Sequence, residues 1–227
     1  MVSSNATAAA PEAARRRGRP RSLTRGEVAR AALELVDDEG LAALSMQRLA
    51  SSLGVGTMTL YGYFRSKEEL LDAIVDEAVL DARIPRLKGS WRERLRQLVV
   101  GAYGMLSTHP AVVEVRLTQP VLRPEALRFG DAAMGILLEA GFSPGDASKA
   151  FRLIFTYLFG YAALSPARDI VQSQEAAKGV LATLPDDAFA NLRRAGPEFA
   201  EAMAGHETFE FGLDLVIDGL DLRRRRQ

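Results

Sequence analysis

A glycine set between two short runs with apolar faces constrains this chain more than any other feature. Between residues 41 and 71 it reads LAALSMQRLASSLGVGTMTLYGYFRSKEELL. Met46, Leu49, Ala50 and Leu53 recur at helical spacing behind Ser45, a residue suited to a helix N-cap. Gly54 follows at once, where a left-handed residue closes a helix and turns the chain sharply. The next run, 57–63, sets Leu60 and Phe64 one turn apart, facing inward. Ser66 then caps a further helix, with Glu69 completing a capping box. Two helices that cross closely at Ala50 and Gly54 form a compact helical corner, and little else fits this pattern.

The same signals recur on either side. Thr24 and Glu27 form a capping-box pair ahead of Val28, Ala31, Ala32, Leu35 and Val36, which share one helical face before Gly40 stops it. Pro85 and Gly89 interrupt the pattern over 83–90. Beyond them, helices are predicted at 91–107, 111–118, 124–140, 144–164, 187–203 and 206–225, with 165–185 expected to be a long loop. Alternating strand patterns are absent, so the expected fold is all-α. Residues 1–22, rich in Ala, Ser, Pro and Arg without periodicity, read as a flexible basic arm. Residues 23–70 carry the helical corner, and 71–227 a larger helical domain.

Composition removes several function classes. The 227 residues include no cysteine, so disulfide and thiolate chemistry are out. His109 and His206 are the two histidines, too few for a histidine-rich metal site. His109, before Pro110 at a helix end, suits capping better than ligation. No nucleophile–base pair, metal cluster or phosphate-cradling loop stands out, so neither enzyme activity nor a cofactor is expected. No apolar run approaches the roughly 20 residues needed to span a bilayer. The first residues lack the apolar stretch of a secretory signal. A cytoplasmic protein, nucleoid-associated when on DNA and without a membrane partner, is the expectation.

The 29 basic and 29 acidic residues cancel, which on its face argues against nucleic acid. Distribution overrides that average. The arm reads Arg15-Arg16-Arg17-Gly18-Arg19-Pro20-Arg21, while Glu34, Asp37, Asp38 and Glu39 supply acid elsewhere. A helix-turn-helix needs a second helix that buries one face and presents short polar groups on the other. Leu60 and Phe64 serve the first need; Thr57, Thr59, Gly62 and Tyr63 serve the second. Tyr61 and Lys67 stand where a hydroxyl and an ammonium would clamp phosphates. Arg17, Arg19 and Arg21 suit a narrow minor groove.

Residues 24–71 resemble the DNA-binding domain of the TetR family of bacterial transcription regulators. The resemblance is carried by Ala31-Ala32-Leu35, Ser45-x-x-x-Leu49-Ala50, Leu53-Gly54-Val55 and Thr59-Leu60-Tyr61-x-x-Phe64-x-Ser66-Lys67-x-x-Leu70-Leu71. It implies a homodimer whose C-terminal helices bind a small effector and form the dimer interface. It also implies that Gln47, Thr57, Met58, Thr59, Gly62 and Tyr63 face bases and that Tyr61 and Lys67 face phosphates, with Ser45 at the same surface. Gly62 departs from the bulkier residue many members carry, which shifts specificity toward Thr57, Thr59 and the arm.

The C-terminal half supplies a matching pattern. Residues 144–164 are apolar nearly all round, with Phe151, Ile154, Phe155 and Leu158 on one side and Leu153, Tyr157, Gly160 and Leu164 on the other. In 206–225, Gly212, Leu215, Val216 and Gly219 form a small-residue stripe beside Phe209, Leu213 and Leu220. The two helices together predict a four-helix dimer interface. The ending FEFGLDLVIDGLDLRRR resembles the tetracycline-repressor-like branch, but no set of His and acidic residues matches a magnesium–tetracycline site. Pocket candidates for an apolar or aromatic effector are Tyr103, Leu117, Gln119, Met134, Phe151, Phe155 and Tyr157. The expected function is a ligand-released repressor on a palindromic operator. An activator of the same fold, or an architectural DNA-binding protein without effector, are the alternatives.

Overall fold

The computed structural model describes residues 23–81, 86–118, 124–164, 170–185, 188–203 and 205–226, and their regular structure is entirely helical. Arg17, Arg19, Arg21 and Gln119 lie outside the described residues. Three helices, α1 (Arg25–Glu39), α2 (Met46–Leu53) and α3 (Thr57–Tyr61), make the N-terminal corner. Thr24 and Glu27 cap α1 reciprocally: Thr24 Oγ1 accepts from the Glu27 amide at 3.2 Å, and Glu27 Oε2 accepts from the Thr24 amide at 2.7 Å. Ser45 Oγ accepts from the Arg48 amide at 3.0 Å to start α2. Gly54 ends it at φ 65°, ψ 30°, the left-handed conformation its position demands. A short 3-10 turn, Leu41–Ala43, joins α1 to α2.

Two details differ from expectation. α3 stops at Tyr61 rather than at Tyr63, because the Tyr63 and Phe64 amides both converge on the Leu60 carbonyl at 2.9 Å and tighten the chain into a turn. In α4 (Lys67–Asp81), Ser66 Oγ does accept from the Glu69 amide, but the Glu69 carboxylate reaches the Arg65 amide at 2.7 Å instead of closing a box on Ser66. Val28, Ala32, Leu49, Leu60, Phe64 and Leu70 are wholly buried between these helices. Each of the larger ones contributes about 1.5–3 kcal/mol by leaving water. α4 packs most extensively on α1 and runs unbroken through the division drawn at 70/71.

Beyond it come α5 (Trp91–Thr108), α6 (Pro110–Thr118), α7 (Pro124–Glu139), α8 (Pro144–Leu164), α9 (Ile170–Thr183), α10 (Ala190–Glu201) and α11 (His206–Arg224). α5 and α6 meet at a bend of 97°. α4 also packs on α6 and α7, while α5, α7, α8 and α11 surround Leu95, Val99, Leu137, Ile154, Leu158 and Leu213. Two arginines of α5 grip four acids of α11. Arg92 pairs with Asp218 and, at 3.2 Å, with Asp221; Arg96 pairs with Glu210 at 2.8 Å and Asp214 at 2.9 Å. The pairs to the more exposed Asp218, Glu210 and Asp214 contribute little singly, about 0–1 kcal/mol, whereas Asp221 is buried. No single described helix is long and apolar enough to cross a membrane.

The expected loop over 165–185 is wrong, because α9 fills most of it. Its Val171 and Val180 remain exposed, so no buried apolar stripe announces it. The helix expected over 187–203 is shorter, and it is broken inside: Gly196 adopts φ 56°, ψ −139° ahead of Pro197, whose ring cannot continue the preceding turn. The terminal arginines do more than offset the α11 dipole. Arg223 reaches Asp146 of α8 at 3.1 Å, and Arg224 and Arg225 hold the buried Asp221 at 2.9 and 2.6 Å.

Candidate DNA interface and effector pocket

Burying Leu60 and Phe64 turns the opposite side of α3 outward. Met58 is 81% exposed and Tyr61 46%, with Thr59 and Gly62 exposed beside them and Thr57 partly so. Gln47 on α2 and Lys67 at the start of α4 are exposed as well. The Ser45 hydroxyl is committed to its cap. Tyr63 is half-buried and donates its hydroxyl to the Leu23 carbonyl at 2.6 Å, which ties the end of the recognition segment to the residue before α1. A Cβ on Gly62 would meet the Thr59 carbonyl at 3.1 Å, so any larger residue there has to shift the turn slightly.

Two cations escaped the sequence reading. Arg25 donates to the Tyr63 carbonyl at 2.6 Å, pairs with Glu69 at 2.9 Å and lies 4.3 Å above the Phe64 ring. It clamps the turn after α3 onto α1, and this fixes how the outward face is presented. A cation in the first turn of a helix opposes the macrodipole, and that misfit is the signal that would have pointed to a distant acceptor. Arg48 on α2 pairs with Glu39 at the end of α1, holding the two helices at their crossing.

His109 sits at the corner between α5 and α6. It caps α5, and its Nδ1 lies 2.6 Å from Asp37 Oδ2 on α1, so it joins the C-terminal helices to the DNA-facing unit. Both side chains are largely buried, and among the described residues the other Asp37 oxygen, Oδ1, has no hydrogen-bond partner.

The predicted pocket residues fall into two groups. Tyr103 is buried and stacks on Phe209 at 4.0 Å. Tyr157 stacks on the same ring at 5.3 Å and donates its hydroxyl to the Phe209 carbonyl at 2.8 Å. Burial pushes the Tyr157 phenol up to about 12 and raises that of Tyr103 as well. These two belong to a packed seam between α5, α8 and α11. Phe151 and Phe155 lie elsewhere, in a half-buried row with Phe129 and Phe159: 6.2 Å from Phe129 to Phe151, 5.9 Å on to Phe155, then 4.4 Å to Phe159. Met134 is half-buried on α7, one turn beyond Gly130, which touches Phe151 closely. Leu117 is 66% exposed at the end of α6. A surface cleft of about 280 Å³ between α9 and α10, lined by Lys178, Leu181, Leu192, Arg193 and Pro197, includes none of the predicted pocket residues.

The stripe on α11 also divides. Gly212 faces Tyr157 of its own chain rather than outward space, whereas Leu215 and Gly219 are exposed together with Phe211 and Leu222. Phe209, Leu213 and Leu220 are buried in the chain's own core. On α8, Leu153 and Leu164 are exposed at 49% and 86%.

Comparison with known proteins joins these parts. Residues 29–74 match the family model for bacterial regulatory proteins of the tetR family, and residues 85–224 match that of the tetracyclin repressor-like C-terminal domain. The HTH-type transcriptional repressor DrrR1 of Streptomyces coeruleorubidus is 30% identical over 91% of this chain and 80% of its own. The tetracycline repressor protein class A from transposon 1721 of Escherichia coli is 31% identical over 87% and 90%. The crystal structure of the Streptomyces coelicolor TetR family protein ActR in complex with actinorhodin superposes with a TM-score of 0.71 at 26% identity, covering 87% of this chain and 95% of that one. An N-terminal helix-turn-helix and a C-terminal helical domain, each matched by its own family model, make this chain a member of the TetR family of bacterial transcription regulators.

Proposed function

We propose that the chain is a homodimeric repressor, held on a palindromic operator and released from it by a small apolar or aromatic effector. The observation that carries this reading is the outward face of α3. Met58, Thr59, Tyr61 and Gly62 point away from a core that fixes the helix through Leu60, Phe64 and the Arg25 clamp. Thr57, Thr59 and Gln47 read bases on this reading; Tyr61 and Lys67 take phosphates, and Arg17, Arg19 and Arg21 enter the adjoining minor groove. Tyr63 contributes chiefly by position, since its hydroxyl is already bonded within the domain.

Dimerisation through α8 and α11 is supported by their exposed Leu153, Leu164, Phe211, Leu215 and Leu222, large apolar side chains on two helices that pack on each other. A twofold dimer would set two recognition helices about 34–36 Å apart, in successive major grooves. Effector binding to a state with another helix spacing would weaken the operator complex by about 1–3 kcal/mol. That ActR, a protein of similar fold, was solved with actinorhodin supports a small-molecule effector for this chain.

Selection of bound duplexes from a random pool, with purified protein at moderate salt, tests the reading. Enrichment of an inverted repeat with half-sites one helical turn apart is expected. Recovery of unrelated sequences only would refute the dimeric reader.

A further inference from the structure

Met58 is the most exposed large apolar side chain of the N-terminal corner, and it lies on the face of α3 that the core turns outward. Leu60 and Phe64, both wholly buried, fill the inward side, and Met58 is left facing water. Its neighbours in sequence, Thr57 and Thr59, are short and polar. A lone apolar side chain on a surface is ordinary, so its surroundings decide what it is for.

Met58, Tyr61 and Gly62 stand at i, i+3 and i+4, which places them on one side of the helix. Gly62 keeps φ −70° and ψ −24°, a conformation open to any residue, so no left-handed turn calls for glycine there. A side chain at 62 would lean back over the turn that carries Met58. Its absence leaves the Met58 thioether uncovered and clears the space beside it. The result is an apolar tip on a face otherwise made of hydroxyls and bare backbone, with Thr59 and Gly62 both exposed next to it.

We infer that Met58 is a specificity-determining residue whose side chain seats against the C5 methyl of one thymine in each half-site of the operator. The inference rests on the operator-binding reading above and deepens it. In the major groove thymine alone among the four bases presents a methyl group; the other edges offer hydrogen-bond donors and acceptors. A thioether is a poor partner for those groups, so pressing it on a polar edge would strip water from them without replacing it. Against a methyl, two apolar surfaces leave water together. Methionine is also flexible and polarisable, which lets it follow a methyl whose position shifts with the local twist of the duplex. Thr57 and Thr59 are then left to read neighbouring pairs by hydrogen bonds.

The test uses the full chain and an operator duplex recovered by selection from a random pool. Each thymine of a half-site is replaced in turn by deoxyuridine, which removes only the methyl, and binding is followed by anisotropy at fixed salt. At one thymine position, replacement is expected to weaken wild-type binding about fourfold in one half-site and about fifteenfold in both. Met58→Ala should bind more weakly overall and show no penalty at that position, while keeping any penalty at other thymines. Met58→Gln, of similar length but polar, should lose the same penalty, and circular dichroism checks that both variants fold. With cytosine at that position, C5 methylation should tighten wild-type binding and leave Met58→Ala unchanged. A wild type indifferent to every replacement, a selected half-site without thymine, or a penalty that survives both substitutions would overturn the inference. The last would assign the methyl effect to the shape of the duplex. Each of these outcomes leaves operator binding itself standing, whereas failure to recover any inverted repeat would refute that reading and this inference with it.

Discussion

Replacing Gly212 by alanine offers the sharpest test of the packing between α8 and α11. A glycine inside α11 is costly on propensity alone, and alanine in an unobstructed helix gains about 1 kcal/mol. Here the added Cβ would lie 2.8 Å from Tyr157 Cζ and 3.1 Å from Cε2, with the hydroxyl oxygen closer still. The ring has nowhere easy to go, because it stacks on Phe209 and its hydroxyl is bonded to the Phe209 carbonyl at 2.8 Å. Overpacking costs about 1–3 kcal/mol and the lost hydrogen bond about 1 more, which outweighs the propensity gain. A net loss of about 1–3 kcal/mol in unfolding free energy is expected from urea denaturation at fixed protein concentration. Gly101→Ala on α5 is the control, since nothing lies within 4 Å of the position its Cβ would take, and it should stabilise. Adding Tyr157→Phe to the Gly212→Ala chain removes the nearest atom but leaves Cζ too close, so rescue should be partial. If Gly212→Ala proves as stable as Gly101→Ala, the close approach of the two helices is not as described.

Three further outcomes follow from particular contacts. Lys67→Ala should weaken operator binding uniformly across sequences and lower the slope of log affinity against log salt by about 1, and an unchanged slope would exclude a phosphate contact. Thr59→Val should instead redistribute preference among bases in a repeated selection, with unaltered preference counting against base readout there. With its native phenol held up to about 12 by burial, Tyr157 stays neutral in the fold while the unfolded chain ionises near pH 10. Its contribution is therefore intact below about pH 10 and lost as pH rises through about 12, so Tyr157→Phe should flatten part of the alkaline limb of a stability profile. His109→Ala strips the buried Asp37 carboxylate of its partner on the other domain and should cost about 1–3 kcal/mol, readable by thermal unfolding; a loss below about 0.5 kcal/mol would mean the contact is not held in solution.

Where a boundary depends on neighbours in sequence, the sequence reveals it. The Thr24–Glu27 box, the Ser45 cap and the left-handed Gly54 were all legible, because each is a bond or a backbone angle closed within a few residues. α9 was not legible: Gly179 lies inside it and its valines face water, so no apolar stripe announces it. The outward side of α3 was legible by elimination once Leu60 and Phe64 were assigned inward. What holds it was not, since Tyr63 bonds to a carbonyl 40 residues away and Arg25 reaches across 38. The pocket candidates were chosen as aromatics, and only packing separates Tyr103 and Tyr157, saturated with partners, from Phe151 and Phe155, which are not wholly covered. Gly212 likewise reads as one more small residue on a stripe until Tyr157 is seen against it.

α4 is a wall shared by two rooms. Leu70, Ile74 and Ala78 are wholly buried, by α1 on one flank and by the helices beyond the 97° corner on the other. Neither half can melt without stripping a face of the other, so the chain should lose its structure in one cooperative step. A protease that nicked and unravelled the C-terminal bundle would therefore disarm the DNA-facing unit as well. The quantity of active regulator in a cell would then follow the stability of the half that never touches DNA, and an effector that tightens that half would prolong the protein's life while releasing it from its operator.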